Sequence, residues 1–228
     1  MLEPVYPTLL ACQVMNMLLA SASPRRRELL ALLGMPFEVT VTNVAEEPQV
    51  GEPPAALVVR LSQTKARAAV VPLGAIVISC DTAVALDGAL LGKPRDATEA
   101  TAMLRRLRAR PHTVYSAVVL LGTASGHTLT DVAETQVVMR AYTDAEITAY
   151  VASGDPLDKA GAYAIQHSGF HPVAKLHGCY ANVMGLPLCH LTRCLRAWGV
   201  KLPFNVPAAC QAHTGQRCTV YAAILNDL

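Results

Sequence analysis

The sequence predicts an α/β fold. Three features carry that expectation: a strand, tight turn and helix over residues 17–34; an almost wholly apolar run at 75–80, suited to a strand covered on both faces; and further strand-like segments alternating with capped amphipathic helices. With 228 residues, 52% of them hydrophobic and 16% charged, the chain has apolar material for one large domain or two small lobes.

The first element is the run Met17-Leu18-Leu19-Ala20, short enough for a buried strand. Leu29, Leu30 and Leu33 then recur at helical spacing, with Ser23 as N-cap, Pro24 in the first helical position and Gly34 just past the end. A helix N-terminus exposes unpaired N–H groups and positive potential, and Arg25, Arg26 and Arg27 add three cations that oppose it. An anion is therefore expected there, and with the Ser21 and Ser23 hydroxyls the turn suits phosphate. A capped surface helix with solvated arginines accounts for the same residues. Neighbours on a helix point about 100° apart, so one or two of the three arginines at most can reach one ligand.

Residues 36–42 alternate as a half-exposed strand and lead to Glu46 and Glu47. Pro53-Pro54 opens a helix to about residue 70 that carries Lys65, expected to be solvated. The run 75–80 ends in Asp81-Thr82, which places a carboxylate at the mouth of a strand; a turn or cap aspartate is the plainer reading. Residues 83–91 read as a hairpin turning at Asp87-Gly88, followed by Lys93-Pro94. Asp96 and Glu99 have capping-box spacing before a helix through Met103, Leu104 and Leu107, and Arg105, Arg106, Arg108 and Arg110 at its basic end read as structural. Two strands, 112–121 and 134–142, should pair antiparallel, and Thr143 with Glu146 repeats the capping box for a helix to about residue 152. The polar loop 153–166 holds Asp158, Lys159 and Gln166. A last helix opens at Pro187, aligns Leu188, Leu191, Leu195 and Trp198, and stops at Gly199. Residues 1–16 read as an extension of the first strand or an arm, and 200–228 as an extra strand or appended tail with weak periodicity.

Bulk properties narrow the function. A net charge of +2 and 5% aromatic residues argue against a nucleic-acid or membrane surface and favour a small anionic ligand. The longest apolar region, 68–91, is broken by Asp81 and Asp87, against a membrane span. Glu3 and the lack of a basic residue before the first apolar patches argue against a secretory signal. Seven cysteines, an odd count with no CxxC pair, fit a reduced intracellular protein. His167, His171, His177 and Cys179 match no standard zinc spacing.

Taken together, Ser21-Ala22-Ser23-Pro24-Arg25-Arg26, Cys80-Asp81-Thr82, Lys93-Pro94, the run from Ser153 to Gly161 and Asn182-Val183-Met184-Gly185-Leu186-Pro187-Leu188 resemble the Maf family of nucleoside triphosphate pyrophosphatases. The resemblance spans residues 17–199, with 1–16 and 200–228 outside it. It implies the ITPase-like fold (Maf/HAM1), a long mixed sheet with helices on both sides forming two lobes around a cleft. It further implies a cytoplasmic homodimer and hydrolysis of dTTP or UTP, with modified nucleotides as a further class, to the monophosphate and pyrophosphate, a house-cleaning role. By the same resemblance Asp81 is the catalytic carboxylate, and Ser21, Arg25, Arg26, Lys65, Thr82, Lys93, Lys159 and Gln166 contact substrate. Glu46 and Asp81 hold a divalent ion, Mg²⁺ or Mn²⁺, and Gln166 marks the branch acting on dTTP and UTP. The sequence departs from the family pattern at Ser79-Cys80, where Gly-Ala is common, and at Gly92, where an acidic residue often precedes Lys-Pro. The other reading of these residues is a non-catalytic nucleotide-binding regulator of cell division or septum formation.

Overall fold

The structure, a computed structural model, describes residues 16–226; the expected N-terminal arm lies outside them apart from Asn16. One mixed sheet of seven strands organises the molecule, in the order β2-β1-β3-β5-β6-β7 with β4 also beside β3. The strands are β1 (Met17–Ala20), β2 (Glu38–Thr40), β3 (Ile76–Leu86), β4 (Ala89–Leu91), β5 (Pro111–Gly122), β6 (Thr128–Met139) and β7 (Val173–His177). β1 runs parallel to β2 and β3, and the other pairs are antiparallel.

The helices are α1 (Pro24–Ala31), α2 (Pro54–Ala68), α3 (Ala97–Leu107), α4 (Asp144–Ala152), α5 (Tyr180–Met184), α6 (Leu188–Ala197), α7 (Val206–Thr214) and α8 (Tyr221–Asn226). They cover both faces of the sheet, and the period-two alternation of β3 shows how. Ile76, Ile78, Cys80, Val84 and Leu86 join the main core with Leu29, Leu104 and Leu191 of α1, α3 and α6. On the other face Ala83 meets Leu57, Val58 and Leu61 of α2, and Val77 meets Ala66. Each such leucine contributes roughly 1.5–3 kcal/mol on burial.

Asp81 does not sit at a strand end, as the sequence reading placed it. β3 runs unbroken through it for 11 residues because β5 pairs with it continuously from Ile76↔Gly122 to Ala85↔Thr113. The opposite edge is different. There β1 pairs only as far as Leu19↔Ile78, and β4 takes over only at Val84↔Leu91. Residues 79–83 therefore have no strand neighbour on that edge, and the opening is filled by the turn from β1 into α1.

Other expectations are met in outline. Ser23 caps α1, Thr143 and Glu146 form a full capping box on α4, and the hairpin turns at Asp87-Gly88. Asp96 caps α3, whereas the Glu99 carboxylate turns to Arg95 instead of closing the box. Arg105 and Arg108 pair with Asp144, and Arg110 with Asp87, so these cations tie elements together. The loop 153–166 contains two short 3₁₀ turns.

The segment after residue 199 is helical and packed, not a strand. Arg193 of α6 forms an ion pair with Asp131 and donates to the carbonyl of Ile224, fastening α8. The Phe204 ring lies so close to Gly34 (φ +68°) that a Cβ there would fall 2.0 Å from it. Cys179, Cys189, Cys210 and Cys218 line a small cavity of about 230 Å³ where α7 packs on the sheet domain. Burial pushes the thiols of Cys179 and Cys189 up to about 12, which keeps them protonated as packing groups. Among the described residues no helix is long and apolar enough to cross a membrane.

Candidate active site

A cleft of about 650 Å³ opens at the gap in the edge of β3, and every residue singled out from the sequence lines it: Ser21, Arg25, Arg26, Glu46, Lys65, Asp81, Thr82, Lys93, Lys159 and Gln166. Six separate segments bring them there. β1 ends beneath the cleft and its turn presents Ser21 and the start of α1. Arg27 points elsewhere and is exposed, which leaves Arg25 and Arg26 as the two arginines of the triplet that reach the site.

Arg26 is fixed at three points. Its Nε donates to the Gly185 carbonyl at 2.9 Å, Nη2 to Thr82 Oγ1 at 3.2 Å and Nη1 to Ser21 Oγ at 3.3 Å. Only a planar fork of donors can span three acceptors in this way. Gly185 belongs to the glycine-containing turn after α5, and its φ of +114° suits glycine there. Thr82 Oγ1 also shares a hydrogen bond of 2.8 Å with Ser116 Oγ on β5. Arg25 faces Asp158 across the cleft at 3.7 Å.

Lys65 corrects the expectation of a solvated side chain. It projects from α2 toward the gap in β3 and is only 7% exposed, as is Asp81. Its ammonium group donates to Asp81 Oδ1 and to Glu46 Oε1, the latter at 2.6 Å. An isolated buried ammonium is costly, and two carboxylates offset that cost. Lys93 stands 3.9 Å from the other oxygen of Glu46. Burial raises the Glu46 carboxyl pKa, but the hydrogen bond from Lys65 and the charges of Lys65, Lys93 and Arg26 outweigh it, and the net displacement is downward. Lys159, 8% exposed, is held by Asp155 at 3.0 Å and Asp158 at 2.6 Å. Gln166 is exposed at the rim.

Five cations thus line the cleft against three carboxylates, Glu46, Asp81 and Asp158, which leaves it positive. A polyanion fits that field. The two family departures are accommodated: Ser79 donates to the Ser62 carbonyl, and Cys80 Sγ donates to the Gly185 carbonyl at 3.2 Å. Gly92 supplies a carbonyl to the Gly161 amide at 3.0 Å and adds no carboxylate.

The donor set fits a hard divalent ion. Glu46 and Asp81 offer oxygen only, and the Lys65 ammonium lying between them shows that this position holds positive charge. Among the described residues no group of three or more His, Cys, Asp or Glu is gathered for a metal. Two carboxylates completed by phosphate oxygens and water are the arrangement Mg²⁺ favours.

A family model described as Maf-like protein matches residues 16–198 of the chain. The chain belongs to the Maf family. A dTTP/UTP pyrophosphatase of Anaeromyxobacter dehalogenans is 48% identical to this Maf protein over 194 residues, covering 84% of this chain and 98% of that one. A protein of the same name from Myxococcus xanthus is 49% identical, covering 83% and 95%, and one from Deinococcus radiodurans is 46% identical, covering 81% and 94%. Among solved structures, a dITP/XTP pyrophosphatase of Mycobacterium abscessus aligns with a TM-score of 0.40 at 16% identity, covering 83% of the Maf chain and all of the other. The matched stretch contains every cleft residue named above, whereas α7 and α8 lie beyond it.

Three groups in the network were given no role by the sequence. Ser116 is one of several polar residues of β5, and although Asn182 and Gly185 stand in a family motif, nothing local to that motif shows the contacts of the Asn182 amide or of the Gly185 carbonyl. Asn182 donates to the Val114 carbonyl at 3.0 Å and to Thr135 Oγ1 at 2.9 Å, which holds the turn bearing Gly185 against the sheet.

Proposed function

We propose that this Maf protein hydrolyses dTTP and UTP, with modified nucleotides as a further class, to the nucleoside monophosphate and pyrophosphate. The relatives' names supply the reaction, and the observation that carries it to this chain is Asp81: a carboxylate buried in a central strand, facing a cleft of cations. A non-catalytic binder needs the cations but not that carboxylate.

The substrate brings about four negative charges, which Arg25, Arg26, Lys65 and Lys93 meet at the phosphates. Asp81 accepts a proton from the attacking water; Lys65 is bonded to Oδ1, so Oδ2 is the oxygen assigned to that proton. The water oxygen bonds to the α-phosphorus, the bond from that phosphorus to the bridging oxygen breaks, and the electron pair leaves with pyrophosphate. Arg25 and Arg26, anchored at the start of α1, stabilise the charge that develops there. Glu46 and Asp81 would hold a Mg²⁺ or Mn²⁺ ion, which supplies further neutralisation of the phosphate oxygens. Gln166 offers an amide donor and acceptor to the base edge. A homodimer in the cytoplasm belongs to the same reading and rests on the family alone.

The test is pyrophosphate release from dTTP, UTP, CTP, 7-methyl-GTP and ITP with Mg²⁺ and with Mn²⁺. Release from dTTP and UTP above the others supports the reading. Tight binding with no release from any of them would replace it with a nucleotide-sensing role.

A further inference from the structure

The loop that carries Lys159 and Gln166 into the cleft is held from behind by one hydroxyl group. Tyr150, on α4, is 3% exposed and does not line the cleft. Its hydroxyl donates to Asp155 Oδ2 at 2.6 Å and accepts the backbone N–H of Ala164 at 3.0 Å. Asp155 in turn receives the Lys159 ammonium, and Ala164 stands two residues before Gln166. The ring is clamped as well, stacked on Phe170 at 4.3 Å and meeting His167 edge-on at 4.7 Å. Burial and the adjacent Asp155 carboxylate raise the hydroxyl's pKa, so it remains a donor at all physiological pH.

The consequence is a single side chain bonded to both ends of the loop. One bond governs the turn containing Asp155 and Lys159, the other the start of the turn that carries Gln166. Without the hydroxyl, the buried Ala164 amide and the Asp155 carboxylate both lose a partner, and the loop's two halves lose the one anchor that they share at Tyr150. Resting on the dTTP/UTP reading above, we propose that Tyr150 is a positioning residue for base selection, acting through Gln166 and Lys159 without touching the nucleotide.

Tyr150→Phe keeps the ring contacts and removes only the hydroxyl. The expected result is a rise in KM for dTTP of about tenfold, kcat within about twofold, and a preference for dTTP over CTP that falls by about fivefold or more. In a Gln166→Ala background the same change should alter the preference by less than about twofold, because the effect has lost its route. A merely structural role predicts otherwise: a lower melting temperature with kcat reduced in step, KM and preference unchanged, and effects that multiply in the double variant. That outcome overturns the inference. If Tyr150→Phe does not fold, Asp155→Ala, which removes one of the two partners, is expected to lower the preference for dTTP over CTP in the same direction, and an unchanged preference counts against the inference. If wild-type protein releases pyrophosphate from no nucleotide, the functional reading fails by itself. The cycle is then read on calorimetric affinity for non-hydrolysable α,β-imido analogues of dTTP and CTP, and equal affinities in wild type and Tyr150→Phe reject the positioning role.

Discussion

Lys65 donates to Asp81 from the helix that covers the sheet, and each residue is only 7% exposed. The pair stands at the one stretch of β3 that has lost its strand neighbour on the cleft side, and the cation is shared with Glu46. Structure and chemistry thus meet in one contact: the ion pair holds a carboxylate inside the sheet, and the edge gap lets substrate reach it.

Lys65→Met tests the structural side of that contact. Removing one partner leaves Asp81 as an uncompensated buried carboxylate, a change that costs roughly 3–5 kcal/mol in a dry interior and less where a cleft admits water. A loss of about 2–3 kcal/mol is expected, or roughly 4–12 °C in melting temperature by calorimetry. An unchanged melting temperature would mean that Lys65 adds nothing to stability.

Arg26→Lys keeps the charge and discards the fork. A lysine can satisfy one of the three acceptors, Gly185 O, Ser21 Oγ or Thr82 Oγ1, but not all of them at once. The nucleotide KM should rise by about 10- to 100-fold while the melting temperature falls by only a few degrees. A lysine variant with wild-type kinetics would show that charge alone suffices.

The pH dependence of stability follows from Glu46. Its folded-state pKa lies below the ordinary value of 4.5, so its contribution is fully present above that value and is lost as pH falls through the folded pKa. Thermal melts of wild type and Glu46→Gln should differ by a constant amount at neutral pH and converge on acidification. A gap that widens in acid would contradict the sign.

The tail is expected to be separable from the chemistry. A chain ending at Gly199 retains all the cleft residues but strips α6 of α7 and of the Arg193–Ile224 contact. It should melt several degrees lower and still release pyrophosphate with a KM within about threefold of the full chain. Loss of binding together with stability would place the tail inside the functional unit and move the domain boundary past residue 199.

Much of this was legible in the sequence, for identifiable reasons. β1 and α1 declared themselves through local signals, an apolar run, Ser23, Pro24 and Gly34, and those signals depend only on neighbours in the chain. The cleft residues were legible because they come in compact motifs. The burial of Lys65 was not: the family resemblance marked it as a substrate contact, but on α2 it reads locally as an ordinary lysine, and its burial depends on a strand that begins 11 residues later. The same limit hid the continuity of β3 past Asp81, since the pairing with β5 that sustains it joins residues 28 to 46 positions apart. Tyr150 was invisible as a contact for the same reason, and α7 and α8, at nine and six residues, are too short to show an apolar period.

The most direct measurement is single-turnover pyrophosphate release from dTTP by Asp81→Asn, alongside calorimetric binding of the nucleotide. The account predicts a rate lower by about 10²–10⁴-fold with affinity within a few-fold of wild type. A variant that turns over at the wild-type rate would remove Asp81 from the reaction, and the proposed chemistry with it.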